Sequence, residues 1–145
     1  MATTINQLSI FVENKSGSLV HITDILARAG IDLRALSLAD SADFGVLRLI
    51  VDRPEDAAQA LRAGGCIVSV TQVIAVPISD EPGSLHRILS ILSAENVFIE
   101  YSYAFITRRS DTAYVIFRVN DNEAAQDILS RNGIELASSA ELFQP

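Results

Sequence analysis

Leu8, Ile10 and Val12 alternate with Ser9 and Phe11, and this period of two predicts a strand that ends at the polar stretch ENKSGSL, Glu13–Leu19. Beyond it the period lengthens. Leu19, Ile22, Ile25, Leu26 and Ala29 form one apolar stripe of a helix, with Gly30 at the place of a C-terminal glycine. Ile31 and Leu33 restore a period of two through IDLRALSLAD. After the polar break SADFG, Leu47, Leu49 and Val51 mark a third strand. Pro54 opens a short helix, EDAAQALRAGG, closed by Gly64 and Gly65, and the run from Cys66 supplies a fourth strand. The predicted order is βαββαβ.

The pattern then repeats. SDEPGSL, Ser79–Leu85, restates the first polar turn, with Gly83 standing 83 − 17 = 66 residues after Gly17. Leu85, Ile88, Leu89 and Leu92 give the helix stripe, and Asn96 replaces Gly30 as the residue that tolerates a left-handed backbone. NVFIEYSYAF and TAYVIFRVND follow as strands, EAAQDILSRNG as a helix, and IELASSAEL as an expected last strand. The offset becomes 133 − 65 = 68, and the two extra residues fit a hairpin around TRRSD, which includes Arg108, Arg109 and Asp111. The chain is read as an internal duplication, residues 1–71 and 72–145. Each half is expected to form an α+β, ferredoxin-like antiparallel sheet with both helices on one face. The third strands carry apolar residues on both parities: Val46 and Ile50 beside Leu47 and Leu49, then Tyr114 and Ile116 beside Val115 and Phe117. The second sheet face is therefore expected to be covered, by another subunit or by extensions of the chain.

Composition narrows the function classes. Halves of about 70 residues are marginal alone and lean on each other or on a second chain. A net charge of −7, with no basic run, argues against nucleic acid as a partner. No apolar run is long enough for a membrane span, and the N-terminus MATTINQLSI lacks the pattern of a signal peptide. One cysteine, Cys66, allows no internal disulfide and fits a cytoplasmic protein; without clustered partners it holds no metal. No GxSxG context and no GxxxxGK loop is present, so neither a catalytic serine nor a phosphate loop is read. His21 and His86 fall at non-equivalent positions and read as solvent-facing helix residues. Tyr101, Tyr103 and Phe105 share one strand parity and read as core.

The repeated turn carries the candidate chemistry. It brings the N–H groups of Gly17, Ser18 and Leu19 to the open N-terminus of a helix, where donors lack partners and the dipole favours an anion such as a free carboxylate. Asn14 can donate and accept toward the same ligand. The plainer reading is that Gly17 only lets strand meet helix, with Ser16 or Ser18 as a cap. In the second copy Asp80 replaces Asn14 and Glu81 replaces Lys15, acids that oppose a carboxylate, and Pro82 removes a donor.

FVENKSGSLVHITDILARAGIDL and PISDEPGSLHRILSILSAENVFI resemble the ACT domain, the small-molecule regulatory module of amino-acid metabolism. The resemblance covers practically the whole chain as a free-standing tandem pair. It implies a non-catalytic module that binds an amino acid at domain interfaces, needs no cofactor, and transmits binding to a partner enzyme or regulator. It also implies a homodimer joined through sheet edges or faces. In such domains the ligand contacts the turn and the start of the second strand of a neighbouring domain. Carried over, those positions are Asn14, Lys15, Ser16, Gly17, Ser18, Leu19 and Asp32, with Asp32 placed to pair with an ammonium group. Asp80, Glu81, Gly83, Ser84 and Leu85 form a second, weaker site, because Phe98 stands where Asp32 would be. Two other readings are weighed. A small ferredoxin-like enzyme of the acylphosphatase kind would need an arginine in the turn, and neither turn has one. A protein-interaction adaptor with no small ligand remains the alternative.

Overall fold

The computed structural model describes residues 3–13, 15–40, 43–105 and 112–143. Asn14 and the hairpin residues Arg108, Arg109 and Asp111 lie outside the described residues. The chain divides into two compact units, one running from Asn6 to Thr71, the other joining the residues up to Ile5 with the chain from Gln72 onward.

In the first unit β1 (Ile5–Glu13) from its second residue on, α1 (Ser18–Arg28), β2 (Leu33–Asp40), β3 (Phe44–Val51) and α2 (Pro54–Ala63) follow one another, and β4 (Ile67–Ser79) contributes its first residues. β3 pairs antiparallel with β1 on one side and β2 on the other. The registers run from Leu8 opposite Leu49 to Glu13 opposite Phe44, and from Leu33 opposite Val51 to Asp40 opposite Gly45. Side chains at alternate positions share a face, so Leu8, Ile10 and Val12 join Leu47, Leu49 and Val51 under the helices. Ile22 and Leu26 of α1, Ile31 after it, Ala57, Ala58 and Leu61 of α2, and Val68 complete that core.

The second unit repeats the plan with the rest of β4, α3 (Ser84–Ala94), β5 (Ile99–Phe105), β6 (Thr112–Val119) and α4 (Asn122–Arg131). β6 pairs antiparallel with β4 and β5. The equivalence reaches single hydrogen bonds. Asp32 N–H donates to Asp52 Oδ1 at 3.0 Å, and Phe98 N–H donates to Asn120 Oδ1 at 3.0 Å. Gly30 has φ 69° and Asn96 has φ 60°, so asparagine takes the left-handed position that glycine holds in the first copy.

The C-terminal end departs from the expected last strand. Residues 134–138 run beside β4, with Ala137 N–H donating to Ala75 C=O at 2.9 Å, but form no strand. The chain turns instead into α5 (Ser139–Leu142), because Ser138 and Glu141 make a capping box. Phe143 then meets Phe105 edge-on at 6.3 Å, and Phe105 meets Tyr114 at 5.9 Å. An extension of the chain thus covers part of the sheet face opposite the helices. Thr3 N–H donates to Gln126 Oε1 at 2.7 Å, which ties the start of the chain to α4 of the same unit.

Candidate functional site

The two turns have the same geometry. Gly17 (φ 90°, ψ −9°) and Gly83 (φ 89°, ψ −9°) are the N-caps of α1 and α3, and neither helix has a side-chain cap bond. Lys15 N–H donates to Glu13 C=O at 2.9 Å, and Glu81 N–H donates to Ser79 C=O at 2.9 Å. His21 N–H reaches Gly17 C=O and Arg87 N–H reaches Gly83 C=O, both at 3.0 Å. Ser16 and Ser18 therefore do not cap α1. Ser18 N–H is weakly engaged by Lys15 C=O at 3.4 Å, whereas no acceptor among the described residues meets the N–H groups of Gly17 and Leu19. A Cβ added at Gly17 would touch nothing within 4 Å, so glycine is required there for its backbone angle, and the space above it is open.

That space is a cavity of about 520 Å³ in the first unit, lined by Lys15, Ser16, Gly17 and Ser18 of the turn. His21 and Ile22 of α1, Phe11 to Glu13 at the end of β1, Phe44 at the start of β3, and Gly65 to Ile67 complete the wall. Its size falls within the ~300–1,000 Å³ of small-molecule sites. His21 Nε2 lies 3.2 Å from Gly64 C=O, which ties the first turn of α1 to the end of α2. Lys15 Nζ pairs with Glu13 Oε2 at 3.1 Å, so the two charges at the rim offset each other. Phe11 and Phe44 stack with ring centroids 4.9 Å apart and stay 48% and 44% exposed. Burial pushes the Cys66 thiol up from its ordinary value, so it lines the cavity as a neutral group.

The second unit has the matching cavity, about 350 Å³, lined by Glu81, Gly83, Ser84 and Arg87 with Pro77, Pro82 and Ile134 among others. Arg87 occupies the place of His21, since 21 + 66 = 87, and supplies a cation that the turn itself lacks. Ser84 Oγ and Ser79 Oγ lie 2.7 Å apart. Asp80, on the turn, is not among the lining residues, and Leu85 is exposed.

The structure brings Lys15, Ser16, Gly17 and Ser18 together. Leu19 lines a smaller neighbouring hollow of about 100 Å³ with Leu38 and Gly45, and is half-exposed instead of forming the top of the core stripe. Asp32 lies elsewhere. It precedes Leu33, which pairs with Val51, while the turn follows Glu13, which pairs with Phe44. At ~3.3 Å per residue the two ends of β3 are roughly 20–25 Å apart, so turn and Asp32 cannot share a ligand within one unit. Asp32 Oδ2 instead meets Arg34 Nε at 3.1 Å. His21, Arg87, Phe11, Phe44 and Cys66 were not read from the sequence as site residues. Position 21 was legible, because a residue four after Gly17 faces the same way one helical turn on. The two phenylalanines depend on strand register, which the sequence does not print.

Among the described residues no group of His, Cys, Asp and Glu could hold a metal ion, and no helix is long and apolar enough to cross a membrane. Among curated proteins none matches the chain. Protein BT0572 from Bacteroides thetaiotaomicron is 39% identical over 99% of both chains, with a TM-score of 0.91. The ligand-free regulatory subunit of aspartate kinase from Thermus thermophilus shares the fold, at 15% identity, 90% of this chain, 93% of that one and a TM-score of 0.64. The corresponding subunit from Thermus flavus is similar at 14% identity, with the same coverages and a TM-score of 0.61. The duplicated βαββα plan, the twin glycine turns and a match to the ACT domain pair over residues 3–144 agree: the chain belongs to the family of ACT domain pairs.

Proposed function

We propose that this ACT domain pair is a non-catalytic sensor that binds a free amino acid at the first-copy turn and passes the change to a partner enzyme or regulator. The observation that carries the reading is the open cavity over Gly17, where the N–H groups of Gly17 and Leu19 meet no acceptor among the described residues at a helix N-terminus. A carboxylate there satisfies donors that otherwise depend on water. Asn14, between Glu13 and Lys15 in sequence, is proposed to add a polar contact. The second cavity, lined by Glu81 and Arg87, is taken as the weaker site, because Glu81 opposes a carboxylate. Two aspartate kinase regulatory subunits with this fold lend the regulatory reading support, in fold only.

The reading includes self-association. β2 stands at the end of the strand order, and Leu36 and Leu38 on it are 53% and 48% exposed. A second chain pairing there would cover them and protect a bare apolar edge. It would also bring another Asp32 toward the turn, which one unit alone cannot do. Ligand binding at such a joint signals only if one arrangement of the joined units binds better than the other.

A thermal-shift screen against the twenty amino acids tests the proposal. A ligand at 100 times its dissociation constant stabilises the folded state by about 2.7 kcal/mol, a rise of several degrees. Loss of the shift in Asn14→Ala, and in Asp32→Ala, is the expected result, the latter reporting a site completed by a second chain. No shift with any amino acid at millimolar concentration overturns the sensor reading. It would leave the adaptor, with Leu36 and Leu38 as the partner surface.

A further inference from the structure

We infer that the first cavity selects an amino acid with a large, uncharged apolar or aromatic side chain, and that the Phe11–Phe44 pair is the selecting wall. The inference rests on the amino-acid reading above and adds the class of side chain.

Three observations carry it. The stacked rings, 4.9 Å apart with 29° between planes, both line the cavity and leave nearly half of their surface open. An apolar guest removes that surface from water, and an aromatic one adds a ring contact. Among the described residues the remaining wall adds one imidazole, His21, whose Nε2 lies 3.2 Å from Gly64 C=O, and offers a charged side chain no unpaired carboxylate or lysine. Glu13 and Lys15 are paired with each other at 3.1 Å, Cys66 is held neutral by burial, and Ile22 and Ile67 are apolar. A carboxylate or ammonium pressed against the two rings loses water there and meets only the exposed, already paired Lys15 and Glu13 at the edge. The fold, finally, does not need the aromatic pair. In the second copy Pro77 holds the place of Phe11, and Thr112, paired with Ser79 as Phe44 is with Glu13, holds that of Phe44. There the cavity is smaller and contains Arg87 and Glu81. The aromatic wall is thus a property of the first site, not of the architecture.

Isothermal titration of the full chain with phenylalanine, leucine, serine, aspartate and lysine tests the inference. Phenylalanine and leucine are expected to bind at least tenfold tighter than serine or aspartate. Phe44→Ala is expected to weaken phenylalanine about tenfold while leaving serine nearly unchanged, because only the larger ligand reaches the ring. If Phe44→Ala fails to fold, Phe44→Leu keeps the bulk and is expected to narrow the preference for phenylalanine over leucine. Tightest binding of aspartate, or of lysine through its charge on a ring face, overturns the selectivity and leaves the amino-acid site standing. So do affinity ratios among the amino acids that stay the same in a folded Phe44 variant. Absence of heat with every amino acid defeats the underlying reading instead, so the two failures are distinct.

Discussion

Gly17 holds φ at 90° with open space where a Cβ would stand, so its replacement strains only the backbone. Gly17→Ala is expected to lower stability by about 1–2 kcal/mol in denaturant titration, the cost of a left-handed L-residue. Gly17→Asn should lose less, because Asn96 already holds a left-handed position in the second copy. Equal losses for the two substitutions would show that something other than φ matters there. Gly64 is the contrast: its φ is ordinary, but an added Cβ would fall 2.5 Å from Ile25 Cδ1, so its substitution is felt through packing of α1 on α2. Cys66 offers a probe of the cavity. Its raised pKa keeps the thiol protonated in the folded state at neutral pH, so a thiol reagent is expected to react slowly at pH 7.5 and faster as pH rises past the ordinary thiol range. By linkage, the unfolded thiol ionises first. The stability associated with the neutral form is complete below the unfolded pKa and is lost as pH rises through the folded one. A ligand filling the cavity should protect Cys66 further, and labelling followed by mass spectrometry reads this directly.

At the scale of the element, the C-terminal segment is where period reading and structure part. IELASSAEL was expected as a strand because the first copy has one at that place, yet Ser138 and Glu141 carry a capping-box spacing that outweighs the analogy and starts α5. Leu142 is buried and Phe143 packs on Phe105, so α5 is part of the second unit's sheet covering. Leu142→Ala is expected to cost about 2 kcal/mol, the lower end for a buried leucine since a terminal helix can settle. An unchanged unfolding midpoint would show α5 to be dispensable. The other elements were legible because period and turn residues agree: the stripe of Ile22 and Leu26 lies inside, Pro54 opens α2, and β3 alternates between faces. Within the site, the turn was legible from Gly17 and its repeat. The aromatic pair was not, because Phe11 and Phe44 are 33 residues apart (44 − 11) and meet only through the β1–β3 register. Asp32 lies at the far end of β3 from the turn of its own unit, so its place in the proposed site depends on a second chain.

Whole-molecule behaviour follows from small units and an open edge. Two compact units, each with its own core, form a 15.7 kDa chain with a net charge of −7. Leu36 and Leu38 are exposed on an edge strand, whereas Ser102 and Ala104 hold the equivalent places on β5, so the proposed pairing with a second copy is expected through β2. Light scattering is expected to give twice the chain mass, and Leu38→Glu to shift it toward the monomer. A monomer in the wild type would remove the shared-site part of the proposal. The central claim, that the first glycine turn receives the carboxylate of an amino acid, is tested most directly by following backbone amides in a nitrogen–proton correlation spectrum during titration with that amino acid. A saturable shift of the Gly17 and Leu19 amides is expected, larger than that of Gly83 and Leu85 at every ligand concentration. Saturable shifts confined to other residues, with Gly17 and Leu19 unmoved, would contradict it.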